Sequence, residues 1–277
     1  MKNTKASKWI ALGGGAAISF ALLLSPGISI SAEPHYLIVG GAGARPDYEG
    51  SDDLTAFPFL GFKMAWDSGR NLSLLGARSS GSAARLSGNV LDTTEVPWFE
   101  LGPVLQYRLA RDDVDNNQVD ALRDVDAAVE LGGFFALNFH PVRFQVTGVG
   151  DVSDQYSGGL VEFAADYTAE LTDTLNLTAG MATTWASSDY MDAYFGVTAA
   201  GAAASGLSQF DASSGVKDIG LRLTSVWKGP GNGWEHWRVM GMFSWFGMQK
   251  DAKDSPIVDD VGNSDQIYGG IAVGWES

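Results

Sequence analysis

Only three histidines are available in this chain for acid–base or nucleophile-activating chemistry: His35, His140 and His236. An imidazole that activates a nucleophile works beside a Ser or Asp partner, and no Gly-x-Ser-x-Gly elbow occurs in the sequence. Asp52 and Asp53 are paired carboxylates of the kind that can exchange protons, but within a polar stretch they read as solvated loop acids. Asp113-x-Asp115-x-Asn117 opens like a calcium loop with Asp124 at its twelfth position; Gln118 stands where the sharp turn needs glycine, and the last ligand is not Glu. Gly40-Gly41-Ala42-Gly43 lacks the helix start that a phosphate cradle requires. These residues assemble no catalytic set, no metal set and no cofactor cradle, so the chain is expected to be non-enzymatic and to carry no cofactor.

The elements that hold these residues read as strands. From Trp98 onward, Phe99, Leu101, Pro103, Leu105, Tyr107 and Leu109 alternate with Glu100, Gly102, Gln106, Arg108 and Ala110. After an acidic loop, Val129, Leu131, Phe135, Leu137 and Phe139 take one parity and Asp126, Glu130, Gly132 and Asn138 the other. Successive strand side chains point to opposite faces, so each segment has one apolar and one polar face. A 3.6-residue period would scatter Glu100, Arg108 and Glu130 across the apolar stripe. The same rhythm predicts strands over 36–44, 54–66, 97–111, 126–139, 142–153, 159–172, 175–187, 216–228, 234–248 and 266–276, with two short strands inside 71–91. That makes twelve, or ten if 71–91 is irregular.

Composition bounds what those strands face. Lys2, Lys5 and Lys8 precede an apolar core, Trp9 to Leu24, which Pro26-Gly27 breaks, and Ile30-Ser31-Ala32 is an acceptable cleavage site. Residues 1–32 are therefore expected to be an export signal and 33–277 the barrel domain. Losing the three signal lysines takes the net charge from −15 to −18, which leaves no basic face for nucleic acid. Cysteine is absent, so neither disulfides nor thiolate metal sites are used. Gly (35) and Trp, Tyr and Phe (31 together) are abundant, and no helix-period segment of useful length appears. An all-β single domain follows.

The connections at 67–70, 140–141, 172–174 and 229–233 are short, and those at 45–53, 112–125, 187–215 and 249–265 are long. With strands alternately up and down, the short ones fall at one end and the long ones at the other, the pattern of a transmembrane antiparallel up-and-down β-barrel in a bacterial outer membrane. Trp66, Trp98, Trp185, Trp227, Trp237, Trp245 and Trp275 sit where interfacial girdles would lie. The opposite parity is then the lumen: Lys63, Glu100, Arg108, Glu130, Arg143, Glu162, Asp166, Glu170, Asp218, Arg222 and Arg238. Both signs are present, so pairing inside the lumen is expected, with the Tyr194–Gly215 loop long enough to plug it.

The loops carry a resemblance. Arg45-Pro46-Asp47-Tyr48-Glu49-Gly50-Ser51-Asp52-Asp53 resembles the first-loop signature of the MipA/OmpV family of outer-membrane proteins. Further matches follow in order: Gly102-Pro103 with Tyr107-Arg108, Arg111-Asp112-Asp113, Asp124-Val125-Asp126, Glu130-Leu131-Gly132, Tyr194-Phe195-Gly196-Val197, Ala204-Ser205-Gly206-Leu207 and Asp254-Ser255-Pro256-Ile257. The resemblance implies an outer-membrane barrel in contact with lipid and lipopolysaccharide. It also implies a scaffold that joins a lytic transglycosylase to a murein synthase, or else a narrow porin-like, osmolarity-responsive surface protein.

Overall fold

The computed structural model describes residues 33–76 and 81–277. The expected export signal, 1–32, lies outside the described residues, as does part of the expected turn at 79–82. Twelve strands follow in chain order: β1 (His35–Pro46), β2 (Leu54–Ala65), β3 (Asn71–Gly76), β4 (Ser82–Ser87), β5 (Phe99–Arg108), β6 (Ala128–Phe139), β7 (Val142–Asp151), β8 (Gly159–Thr172), β9 (Leu175–Ala186), β10 (Gly215–Lys228), β11 (Trp237–Met248) and β12 (Asp265–Glu276). Each pairs antiparallel with its neighbours in sequence, and β1 closes on β12 from Leu37↔Glu276 to Ala44↔Gly269. The barrel is an up-and-down cylinder of twelve strands, not ten.

The two-residue rhythm decides which way each side chain points. On β5, Leu101 and Tyr107 are exposed while Gly102, Val104, Gln106 and Arg108 are buried; on β6, Leu131, Phe135 and Phe139 are exposed while Glu130, Phe134 and Ala136 are buried. Large apolar groups cover the outer wall, with Leu60 75% and Ile271 67% accessible. Such a surface has no place in water and matches hydrocarbon. The strands other than the β3–β4 hairpin run 10 to 14 residues, enough to cross it at a tilt. Trp98, Trp237 and Trp275 stand exposed near one rim and Trp185 near the other, where amphipathic rings anchor a barrel at the lipid–water boundary.

The sorting of connections is looser than the sequence suggests. The β4–β5 connection, 88–98, lies at the short-turn end although it is long, and the β7–β8 connection, 152–158, is one of the shorter outer loops. Asn89 accounts for the first: its side chain receives the backbone N–H groups of Leu91 and Leu101 and donates to the carbonyls of Gly69 and Leu91, folding the segment against the rim. The outer loops also contain short helices that no long-range periodicity announces: α1 (Asn117–Asp120), α2 (Ser188–Phe195), α3 (Ala199–Ser205), α4 (Lys250–Asp254) and α5 (Pro256–Asp259). Local caps make them. Asn116, Ser187, Thr198 and Ser255 each accept backbone N–H groups at a helix start, and Gly206 ends α3 in the left-handed region.

Candidate functional site

The outer loops fold inward as a cap. On α2, Tyr190, Met191, Tyr194 and Phe195 recur at the spacing of one helix face and are all buried. They pack with Tyr156, Met248 and Val258, while Tyr48, Val119, Leu122, Val197, Leu207 and Ile257 form a second cluster beside them. Polar ties bind the loops to one another: Ser255 Oγ donates to the Phe195 carbonyl at 2.6 Å, Gln118 Nε2 to the Ser205 carbonyl at 3.2 Å, and Asn116 Nδ2 to the Val261 carbonyl at 3.1 Å. The inward-turning segment thus begins at Ser188, earlier than the expected Tyr194–Gly215, because α2 supplies the ring-bearing face.

Beneath the cap lies a buried ionic network. Arg108 Nε donates to Glu130 Oε1 at 2.5 Å, and Tyr156 OH donates to the same oxygen at 2.6 Å. Gln106 Nε2 donates to Glu130 Oε2 at 2.5 Å and receives Arg85 Nε at 2.7 Å on its own carbonyl oxygen, while Arg85 Nη1 reaches Glu162 Oε1 at 3.3 Å. Arg108 Nη1 donates to Tyr190 OH at 3.0 Å, and that hydroxyl donates onward to Glu49. Glu49 is also paired with Lys217, whose ammonium sits 2.7 Å from Asp218 Oδ2. The Arg108 guanidinium lies 5.0 Å from the Tyr190 ring centroid, a cation–π geometry. Burial pushes the Glu49 carboxyl up, but Lys217 and Arg108 overcome it and hold it down to about 2. Burial likewise pushes the Tyr156 and Tyr190 hydroxyls far up, so both remain proton donors.

Charges at this depth persist only when partnered. Here Arg85, Arg108 and Lys217 face Glu49, Glu130, Glu162 and Asp218, and the network draws on β4, β5, β6, β8, β10, the 47–53 loop and α2. Arg108 and Glu130 are wholly inaccessible. The arrangement bolts the outer half of the lumen shut.

The other half differs. Arg143 Nη1 pairs with Glu100 Oε2 at 2.8 Å and Arg222 with Asp166 at 3.0 Å, and Arg238 pairs with Glu276. The Arg143 and Glu100 side chains keep 30% and 21% of their accessibility, against none for Arg108 and Glu130. Accessibility thus falls from the short-turn end towards the network. The nine charged positions Glu100, Arg108, Glu130, Arg143, Glu162, Asp166, Asp218, Arg222 and Arg238 all take the inward parity, whereas Glu170 stands exposed at the rim, beside a register shift between Glu170 and Thr172.

The motif residues gather in the cap. Pro46 ends β1, Asp47 Oδ2 accepts the Asp115 N–H, Tyr48 and Ser51 are buried, and Gly50 N donates to Gln266 Oε1 at 3.0 Å while Asp52 is exposed. Arg111 is buried, with Asp112 and Asp113 exposed beside it. Gly196 caps α2, Ser205 Oγ donates to the Gly201 carbonyl, and Pro256 begins α5. In the calcium-like stretch, Asn117 and Gln118 are taken up by α1, with exposed Asp113 and Asp115 before it. His35 lies 3.6 Å from Asp67, and His236 Nδ1 lies 2.8 Å from the Glu276 carbonyl oxygen; both are at the short-turn end, like His140 in the β6–β7 turn.

Sequence reasoning missed Lys217, Arg85, Tyr156 and Tyr190, and placed Gln106 on the polar face without a role. Lys217 shares the parity of outward Ile219, but a bulge between Val216 and Asp218 turns it inward. The tyrosines sit on loops, where no period applies. The hidden signal for Lys217 was local: a lysine at a predicted lipid-facing position.

An apolar wall, aromatic rims, paired charges inside and a capped outer mouth define a bacterial outer-membrane β-barrel. The family model for the MltA-interacting protein MipA matches residues 38–277, and the chain belongs to that family. Among solved structures, an outer membrane channel from Pseudomonas putida F1 aligns at 11% identity over 90% of this chain and 97% of its own, with a TM-score of 0.45. The translocator domain of the autotransporter NalP from Neisseria meningitidis aligns at 11% identity over 88% of each chain, with a TM-score of 0.43. The comparison with curated proteins found no match.

Proposed function

We propose that this barrel works by binding rather than by turnover, as an envelope scaffold that holds a murein lytic transglycosylase, and through it a murein synthase, at its periplasmic rim. The observation that carries the reading is the asymmetry of the lumen. The Glu49–Lys217–Arg108–Glu130 network closes the outer half, and the accessible charged side chains of the lumen, Arg143 and Glu100, lie on the short-turn side. Exposed Trp234 stands at that rim, and rings of this kind anchor protein contacts. The family's description as an MltA-interacting protein points to the same class of partner.

The test is retention of a purified murein transglycosylase on the immobilised, detergent-folded barrel. Retention that falls when Trp234 is changed to Ser is expected. Absence of retention, together with discrete conductance steps from the same preparation in a planar bilayer, would replace the scaffold with a narrow porin-like channel.

A further inference from the structure

The lipid-facing wall is not evenly covered. Ser225, Gly241, Ile271 and Ala42 stand level across β10, β11, β12 and β1, each paired with the next in register. All four take the outward parity, yet three of them are small. They border a hollow of about 750 Å3, which Leu223 and Phe243 bound on the side of the outer loops. Gly241 keeps the floor low: a Cβ there would stand 2.9 Å from Ser225 Oγ. Ligand clefts commonly enclose roughly 300–1,000 Å3, so the hollow is of binding-site size.

Its depth in the membrane fixes the occupant. Trp227 follows Ser225 by two residues, Trp237 precedes Gly241 by four, and Trp275 follows Ile271 by four. These rings share the outward parity and mark the short-turn rim, which faces the periplasm in an outer-membrane barrel. Four residues of strand span about 13 Å, within the roughly 15 Å of hydrocarbon that one leaflet contributes to the core. The hollow is thus continuous with the established lipid contact of the wall, at the level of the periplasmic leaflet, whose lipids are phospholipids. Its lining is apolar apart from the Ser225 hydroxyl, so water has too few partners there. Left empty, the lining would forfeit its dispersion contacts. A second rigid barrel does not reach the floor, because two convex walls meet first on their proudest side chains, here Ile271 at 67% accessible. A flexible chain can lie alongside that side chain.

The geometry points to a lipid site on the barrel wall: the hollow across β10, β11, β12 and β1 seats one acyl chain of a periplasmic-leaflet phospholipid. Leu223, Phe243 and Ile271 flank the chain, and Gly241 lets it approach the backbone. The site uses the wall alone, so it stands or falls independently of a protein partner at the rim.

The experiment places the folded barrel in vesicles of phosphatidylethanolamine and phosphatidylglycerol, doped with a phosphatidylethanolamine that carries a photoreactive diazirine at mid-chain. After illumination, mass spectrometry maps the lipid adducts. Adducts concentrated on Leu223, Phe243 and Ile271 are expected, above those on Phe135 and Phe144 of the opposite wall, which bulk lipid reaches equally well. Gly241→Leu fills the floor and should lower labelling of this wall to the opposite-wall level. Ala42→Leu fills the hollow from β1 and decides the matter should the first variant not fold. Gly148→Leu, on the outward parity of β7 with nothing within 4 Å of the added carbon, should leave the pattern unchanged. Adducts spread evenly around the belt, labelling undiminished in the filled variants, or a wall shielded from lipid by a second copy overturns the site.

Discussion

Lys217 and Asp218 are consecutive residues of one strand, yet both side chains face the barrel interior and the ammonium sits 2.7 Å from the carboxylate. Regular pleating would send them to opposite faces. The bulge between Val216 and Asp218 inserts Lys217 as the extra residue, spares the lipid face a charge and supplies the network with a cation.

Removing that cation alone should therefore be severe. Lys217→Met takes from Glu49 one of its cations and, among the described residues, leaves Asp218 with none, and the expected cost is about 3–5 kcal/mol. Adding Asp218→Asn should return part of it. Urea unfolding in detergent or lipid vesicles, followed by tryptophan fluorescence, measures both; a double variant no better than the single would contradict the ion-pair account.

Gly81 stands against the same network. Its φ is +76°, and a Cβ there would lie 2.5 Å from Arg108 Nη1 and 2.8 Å from Glu49 Oε2. Gly81→Ala is expected to cost about 1–3 kcal/mol from backbone strain and displaced charges. Gly148→Ala, where nothing lies within 4 Å of the added carbon, serves as the control and should be neutral or mildly stabilising.

Acid should loosen the cap before it dissolves the wall. Glu49 sits at about 2 in the folded protein against an ordinary 4.5. A carboxyl depressed in this way contributes fully above its unfolded value and loses that contribution as pH falls towards the folded one. Melting temperature should be flat from pH 7 to 5 and decline between 4.5 and 2, with on the order of 3 kcal/mol at stake. Glu49→Gln should flatten that decline, which thermal scans at stepped pH will read.

The wall itself should discriminate by face. Ile271→Arg places a charge on the lipid side in the middle of β12 and should cost about 2–4 kcal/mol. Gln145→Lys on the inward parity of β7 should be tolerated, since water reaches its neighbour Arg143. Folding yield into vesicles compares the two directly.

The wall was legible because alternation over 99–108 or 128–139 is long enough to exclude a helix, and because sign pairing inside follows from charge on the inward parity. The cap was legible only as motif. Glu49, Tyr190 and Tyr156 meet through loops whose paths depend on caps such as Ser187 and on contacts between segments far apart in sequence, and neither leaves a period. Lys217 was hidden for the opposite reason: the period was present, and one inserted residue broke it. Arg85 lies on β4, six residues long, too short for alternation to separate strand from irregular chain.

The seam between β1 and β12 imposes an order of events on the folding chain. Gly50 at the head of the first outer loop bonds Gln266, 216 positions away, and Glu49 beside it closes the ionic network. A loop of that length carries a large closure entropy until the last strand docks. The tie between Gly50 and Gln266 can therefore form only when β12 is in place, so a cylinder short of its last strand lacks that anchor of the first outer loop.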